Sequence, residues 1–179
     1  GSIVIPETVV LFGPNHTGFG EPYAVAAHDA WRTPLGESLI DADLRTRMIA
    51  ASRYLECDTI AHAREHSLEV IVPFLQVLRA AVKIVPVTLS GYPDNPAWCE
   101  IGESTAEAIR DSGRQVLIVA SSDMTHYEDE SSAEAKDRYA LDAICALDED
   151  ALIERIGERD ISMCGYGPAV VTMVACRSL

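Results

Sequence analysis

The sequence is poor in basic residues, in aromatic residues and in long apolar runs. Its 179 residues include 14 Lys and Arg against 28 Asp and Glu, which gives a formal net charge of −14. Proteins that bind nucleic acid or anionic membranes need a basic patch, so we predict no nucleic-acid partner and no membrane partner. The longest apolar stretch is interrupted by Pro73 and Gln76, and it is too short for the roughly 20 residues of a membrane-spanning helix.

Several catalytic and structural motifs are also missing. The phosphate-binding patterns GxGxxG and GxxxxGKS/T do not occur, nor does the GxSxG turn of serine hydrolases or the HExxH zinc motif. The five cysteines form no CxxC pair, which argues against a disulfide framework and for reduced thiols. Residues 1–6 lack the charged and apolar regions of a secretion signal. These absences predict a cytoplasmic protein.

The patterns that are present indicate a single α/β domain over residues 1–179. Apolar residues make up 48% of the chain, enough for one core without disulfides. Because β-branched runs alternate with helical periods, we predict a mostly parallel or mixed central sheet with helices on both faces. The predicted strands cover 8–12, 23–27, 82–89 and 115–120. The predicted helices cover 41–55, 96–111, 131–147, 149–158 and about 168–179.

Two predicted strands lead directly into polar clusters that contain a histidine. Asn15 and His16 follow the first strand, and Ser122, Asp123 and His126 follow the last one. In open α/β sheets, ligands bind beyond the carboxyl ends of the strands. The two clusters therefore favour a functional site, although either cluster alone is equally typical of turns.

Two further segments carry residues that could bind a ligand or take part in a reaction. Apolar positions 68, 71, 72 and 75 predict a helix that begins near Glu65, with His66 off its apolar face as a surface or pocket group. Cys164 lies in a glycine-flanked turn before the last predicted helix, where the helix dipole favours a thiolate that can act as nucleophile or metal ligand. The other four cysteines are interpreted as core residues.

Residues 34–36 predict a turn between the second strand and the helix capped by Asp41. The preceding Arg32 either lies in solvent or faces an anionic ligand. Substitution of Arg32 is therefore the informative change in this segment.

Five segments in this order together resemble the Memo family, also called AmmeMemoRadiSam system protein B. That family is similar in fold to the class III extradiol ring-cleavage dioxygenases. The resemblance extends over essentially the whole chain. The segments are GPNH (13–16), WRTPLG (31–36), EHSLE (65–69), SSDMTH (121–126) and CGYGP (164–168).

The resemblance implies a metal held by two histidines and a cysteine, of which His16 and Cys164 are present. The other histidine lies in a Pro-His-Ala-Gly-Tyr segment that this sequence lacks, so we expect the chain to lack the family's N-terminal strand segment and its C-terminal end. The metal is expected to be iron(II) or copper, with zinc as a third candidate, and to be absent or weakly held in such a fragment. His126 and Asp123 are the implied catalytic residues. The implied substrate-binding residues are Asn15, His66 and Ser122.

Three functions follow from this resemblance. The first is a Memo-like, metal-dependent redox protein of unknown substrate. The second is an extradiol-type dioxygenase acting on a small catechol-like substrate, although such enzymes use a carboxylate where this chain has a thiol. The third is a non-enzymatic module that binds a small molecule or a peptide in the same pocket. The first two functions require a metal, and the third does not.

Overall fold

The computed structural model describes residues 4–90 and 95–179. The strands are β1 (Thr8–Pro14), β2 (Tyr23–Ala26), β3 (Ala30–Thr33), β4 (Gly36–Leu39), β5 (Glu56–Asp58), β6 (Lys83–Leu89) and β7 (Val116–Ala120). The helices are α1 (Ala42–Ala51), α2 (Val72–Leu78), α3 (Asn95–Ser112), α4 (Glu130–Ala146), α5 (Glu149–Arg159) and α6 (Tyr166–Ser178). Within these described ranges, no helix is both long enough and apolar enough to cross a membrane.

The central sheet has five strands in the order β5-β2-β6-β1-β7. Strand β1 is parallel to both β6 and β7, whereas β2 is antiparallel to β6. In the register of β1 and β7, Phe12 pairs with Ala120. The two strands therefore end side by side, and the residues that follow them meet at one edge of the sheet.

The mixed α/β fold class predicted from the sequence is confirmed. Alternate residues of β1 pack on opposite faces of the sheet: Val10 and Phe12 join the larger core, and Val9 and Leu11 join the smaller one. Residues of α1, α3 and α6 complete the larger core, while Val72 and Leu75 of α2 complete the smaller one. Helices therefore cover both faces, as a sheet with two apolar faces requires.

The four predicted strands are confirmed, but three shorter strands were not predicted. Strands β3 and β4 form an antiparallel hairpin with a turn at Pro34 and Leu35, while Gly36 already belongs to β4. Strand β5 has only three residues, Glu56–Asp58, and it pairs with β2 at the edge of the sheet. These strands lack the β-branched runs that identified the others, because each has only three or four residues, and all but Ser38 are exposed or half-buried.

The predicted helices are confirmed within a few residues, with one exception. The Asp41 carboxylate caps α1 by accepting the Leu44 N–H at 3.0 Å. The helix expected from about residue 65 is wrong, because α2 begins only at Val72 and residues 67–71 form turns. Two backbone N–H groups at the start of that segment donate to the Glu65 carboxylate, and Pro73 favours a helix start.

Candidate metal centre

Four chain segments meet beyond the carboxyl ends of β1 and β7. They surround a small cavity of about 60 Å³. The sequence-predicted residues His16, His66, Ser122, Asp123 and Cys164 all line it. The complete lining consists of Pro14, His16, His66, Ser67, Val70, Ser121, Ser122, Asp123 and Cys164.

Serine hydroxyl groups hold these segments together. The Ser67 Oγ donates to the Pro14 carbonyl at 2.8 Å, and the Ser121 Oγ donates to the Ser67 carbonyl at 2.7 Å. The Ser122 Oγ accepts the Gly165 N–H at 2.9 Å. These bonds link the segment after β7 both to residue 67 and to the start of α6.

Two glycines allow this close approach because a side chain at either position would collide with a neighbouring segment. A Cβ atom at Gly13 would lie 2.6 Å from a methyl group of Leu68. A Cβ atom at Gly165 would lie 2.3 Å from the Ser121 carbonyl oxygen. Glycine is thus required sterically where the segments cross.

The buried carboxylate of Glu65 lies behind the histidines, and its side chain is only 1% exposed. Its Oε1 accepts hydrogen bonds from the His16 Nδ1 and from the backbone N–H groups of His66 and Ser67, each at 2.9 Å. Its Oε2 accepts the backbone N–H of His16 at 2.5 Å. Burial raises the pKa of this carboxyl group, but the hydrogen bonds outweigh burial and lower the pKa from 4.5 to about 2.

The sequence analysis did not predict that the carboxylate of Glu65 contacts His16. The sequence offered only its four-residue spacing from Glu69, which predicted a helix rather than a contact. The partner that defines its role, His16, is 49 residues away along the chain.

His16, Glu65 and His66 form a group that could hold a metal ion. One potential ligand atom from each lies within 4.8 Å of the others, and the two imidazole rings are stacked with centroids 4.9 Å apart. No other such group of three occurs among the residues that the structure describes. Both histidine side chains are accessible, at 38% and 67% exposed, so an ion could reach them from solvent.

Cys164 lines the same small cavity but does not belong to this compact group of three, and it lies immediately before the N-cap residue of α6. Its Sγ accepts the Asp123 N–H at 3.2 Å, and its own N–H donates to the Asp123 carbonyl at 3.3 Å. This pair of bonds fixes the thiol next to the segment that follows β7. The thiol, a soft metal ligand when deprotonated, therefore faces the same cavity as the two imidazoles.

His126 lies next to the cavity but is not part of its lining. Its Nδ1 donates to the Ser162 carbonyl at 2.7 Å, since a carbonyl oxygen can only accept. In the neutral ring the Nε2 then carries the lone pair, and this nitrogen lies 3.9 Å from the exposed carboxylate of Asp123. This arrangement leaves a ring nitrogen free to accept a proton.

Asn15 is also outside the lining of the small cavity. Its Oδ1 accepts hydrogen bonds from Thr17 and Gly18, and its Nδ2 donates to the Phe19 carbonyl at 2.8 Å. The side chain thus organises the loop that follows His16. A contact between Asn15 and a substrate stays a prediction.

A second, larger cavity of about 470 Å³ adjoins the first, and Val70 lines both. Strand β3 contributes Trp31 and Arg32 to it, and the segment before α2 contributes His62. The Trp31 and His62 rings meet edge to face at 5.6 Å. Arg32 pairs with the exposed Glu37 at 2.9 Å. The volume lies in the range of small-molecule pockets.

Comparisons with known proteins identify the family. The family described as Memo-like protein matches residues 2–179. A MEMO1 family protein of Methanopyrus kandleri is 41% identical over 175 residues, which are 97% of this chain and 62% of that protein. A MEMO1 family protein of Thermotoga maritima is 42% identical over 162 residues, 90% of this chain and 58% of that protein. The chain thus spans about three fifths of the length of these relatives.

A solved structure shares the fold at much lower sequence similarity. The crystal structure of an uncharacterized protein, JW3007, from Escherichia coli K12 matches with a TM-score of 0.66 at 16% identity. The match covers 97% of this chain and 77% of that chain. At 16% identity, this match shows that the two proteins share a fold and nothing more. The family match over residues 2–179 and the relatives above 40% identity show that this chain belongs to the Memo-like protein family.

Proposed function

We propose that this protein is a Memo-like, metal-dependent redox protein in which His16 and Cys164 bind the metal. His66 is the third donor that this chain can offer. The observation that carries the proposal is that two imidazoles and one thiol line a single cavity of about 60 Å³. A cytoplasmic location is part of the same proposal.

The residues present fit a metal ion. One water needs only about 10–15 Å³ of such space, so the cavity has room for an ion and a few waters. Imidazole and thiolate donors suit iron(II), copper and zinc, and they suit magnesium or calcium poorly. A bound iron or copper ion would supply a one-electron redox centre at this position.

The remaining residues contribute proton transfer and ligand contacts. The free Nε2 of His126 makes this residue our candidate general base, and Asp123 beside it would stabilise the protonated ring. Ser122 and His66 line the cavity and would contact a bound molecule there. The exposure of the Asp123 side chain, 87%, leaves it accessible to that molecule.

Metal titration of purified protein tests the proposal. Apo protein titrated with Co²⁺ should bind one ion and develop the thiolate-to-metal charge-transfer absorption that cobalt–cysteine bonds produce. Cys164→Ser should lose this absorption and most of the affinity, because a hydroxyl group does not replace a soft thiolate. The prediction that Cys145 is a core residue is wrong, because it is exposed on α4, so Cys145→Ser is the matched control and should behave as wild type. Equal binding by wild type and Cys164→Ser would overturn the proposed site.

One observation favours the dioxygenase alternative. Two histidines and a carboxylate are the iron ligands of many oxygen-using enzymes, and His16, Glu65 and His66 provide that set within 4.8 Å. However, the carboxylate of Glu65 already accepts four hydrogen bonds, so it has little capacity left to bind iron. Consumption of oxygen with a catechol by the iron-loaded protein would favour this alternative over our proposal.

Another observation favours a binding module. The cavity of about 470 Å³ adjoins the candidate metal centre and could hold a small molecule or the side chains of a peptide. Ligand binding in this cavity would require no metal. A ligand that binds equally well in the presence of a chelator would favour the binding module.

A further inference from the structure

The carboxylate of Glu65 is surrounded by N–H groups. Three of its four hydrogen-bond donors are backbone N–H groups, which can only donate: those of His16, His66 and Ser67. They reach both oxygens, so each oxygen must act as an acceptor. An ionised carboxylate can only accept, so the fourth contact, with the His16 Nδ1 at 2.9 Å, is also a donated N–H.

This contact determines which nitrogen of His16 carries the proton. In a neutral imidazole one nitrogen donates and the other accepts. Since Nδ1 donates to Glu65, Nε2 carries the lone pair that a metal ion would use. A carboxylate behind a metal-binding histidine commonly has this effect, and it also fixes the orientation of the ring.

We propose that Glu65 is a positioning residue, not a metal ligand, and that it presents the Nε2 of His16 to the metal. This inference rests on the proposed function, because it assigns a role toward the ion that His16 and Cys164 would hold. The same carboxylate also binds the backbone of His66. In addition, its Oε1 lies 3.3 Å from the Nδ1 of His66, so the carboxylate contacts both imidazoles.

The structure contains two histidines that serve as internal references. His62 has the opposite tautomer, since its Nε2 donates to the Ala24 carbonyl at 3.1 Å. His126 has the same tautomer as His16, since its Nδ1 donates to the Ser162 carbonyl. The three tautomers are set by three different acceptors. A spectrum that resolves them can therefore test each assignment separately.

The first experiment needs neither a metal nor a variant. Metal-free protein with ¹⁵N-labelled histidine is examined by long-range ¹H–¹⁵N correlation NMR at about pH 8, above the ordinary pKa of histidine. We expect the Nδ1–H tautomer for His16 and the Nε2–H tautomer for His62. An Nε2–H tautomer at His16 would overturn the inference whether or not the protein binds metal.

The second experiment links the tautomer to metal affinity. Glu65→Ala should leave His16 in a mixture of tautomers and weaken Co²⁺ binding by about 10- to 100-fold, as is typical for removal of such a supporting group. Glu69→Ala is the matched control, because it removes an exposed carboxylate four residues further along the same segment. Unchanged Co²⁺ affinity in Glu65→Ala would overturn the inference and leave the metal function intact.

Glu65→Gln keeps the test decisive if Glu65→Ala does not fold. The glutamine carbonyl oxygen can still accept from the Nδ1 of His16, whereas its amide group cannot accept the backbone N–H of the same residue. We expect this variant to retain the Nδ1–H tautomer and to bind Co²⁺ more weakly than wild type because the charge is lost. An Nε2–H tautomer in Glu65→Gln would contradict the hydrogen bond from His16. Absence of Co²⁺ binding by wild type would instead overturn the proposed function, and with it the role of Glu65 toward the metal.

Discussion

The two sides of the candidate metal centre are held in different ways. On the histidine side, formed by His16 and residues 65–67, a carboxylate with 1% exposure accepts four N–H groups. On the cysteine side, formed by residues 121–126 and Cys164, the Asp123 carboxylate is 87% exposed and the thiol is held by backbone contacts. A buried charge contacts the imidazoles, whereas the carboxylate beside the thiol faces solvent. The histidine side is therefore the preorganised half of the site.

The largest expected effect is the loss of stability when the carboxylate on the histidine side is removed, compared with removal of the carboxylate on the cysteine side. Glu65→Ala leaves several N–H groups without their acceptor, so we expect the free energy of unfolding to fall by about 3 kcal/mol. Asp123→Ala removes an exposed side chain and should change the free energy of unfolding by less than about 0.5 kcal/mol. Urea denaturation of both variants measures the difference. Equal losses would show that the two sides are equally constrained.

The close packing within the cysteine side can be tested at Gly165. A Cβ atom there would meet the Ser121 carbonyl oxygen at 2.3 Å, so Gly165→Ala should cost about 2 kcal/mol through overpacking. Gly157→Ala is the control, because a Cβ atom at this position in α5 meets nothing within 4 Å. That variant should be as stable as wild type or gain up to about 1 kcal/mol in helix propensity. If Gly165→Ala is as stable as wild type, the segment that carries Cys164 can move away from Ser121.

The pH dependence of stability should reveal the buried carboxylate of Glu65. The pKa of Glu65 is lowered from 4.5 to about 2 in the folded protein, so its stabilising effect is present above pH 4.5. That effect should be lost as the pH falls from about 4.5 to about 2, because the unfolded state then binds the proton more readily. The difference in unfolding free energy between wild type and Glu65→Gln should shrink over this window. A constant difference would contradict the assigned hydrogen bonds.

The smallest effect is expected at Arg32, beside the larger cavity. Its ion pair with Glu37 joins side chains that are 82% and 52% exposed, and pairs of this kind contribute about 0.5 kcal/mol or less. Arg32→Ala should therefore leave the thermal midpoint within a few degrees of wild type. A large loss of stability would show that the hairpin depends on this pair. A selective loss of binding to an anionic ligand would indicate instead that Arg32 faces the cavity.

The sequence allowed prediction of the features that depend on local patterns. The run around Val9–Phe12 is β-branched and apolar because it is buried on both faces, and Asp41 precedes a helix because its carboxylate caps it. The family resemblance supplied Cys164 as a neighbour of His16. The role of Glu65 could not be predicted, because it depends on a partner 49 residues away. Pro73 has no backbone N–H with which to continue a helix from Glu65, and α2 begins only at Val72.

The hydrogen bonds of the site also bear on how the protein folds. They join residues separated by 49, 53, 54 and 41 positions along the chain. Closing such loops is entropically unfavourable, so we expect the cavity to form only when the sheet has assembled. Any ion or ligand that binds there is coupled to the folded state of the whole domain, and one present at 100 times its Kd would stabilise it by about 2.7 kcal/mol. Thermal stability can therefore serve as a general readout when candidate ligands are screened.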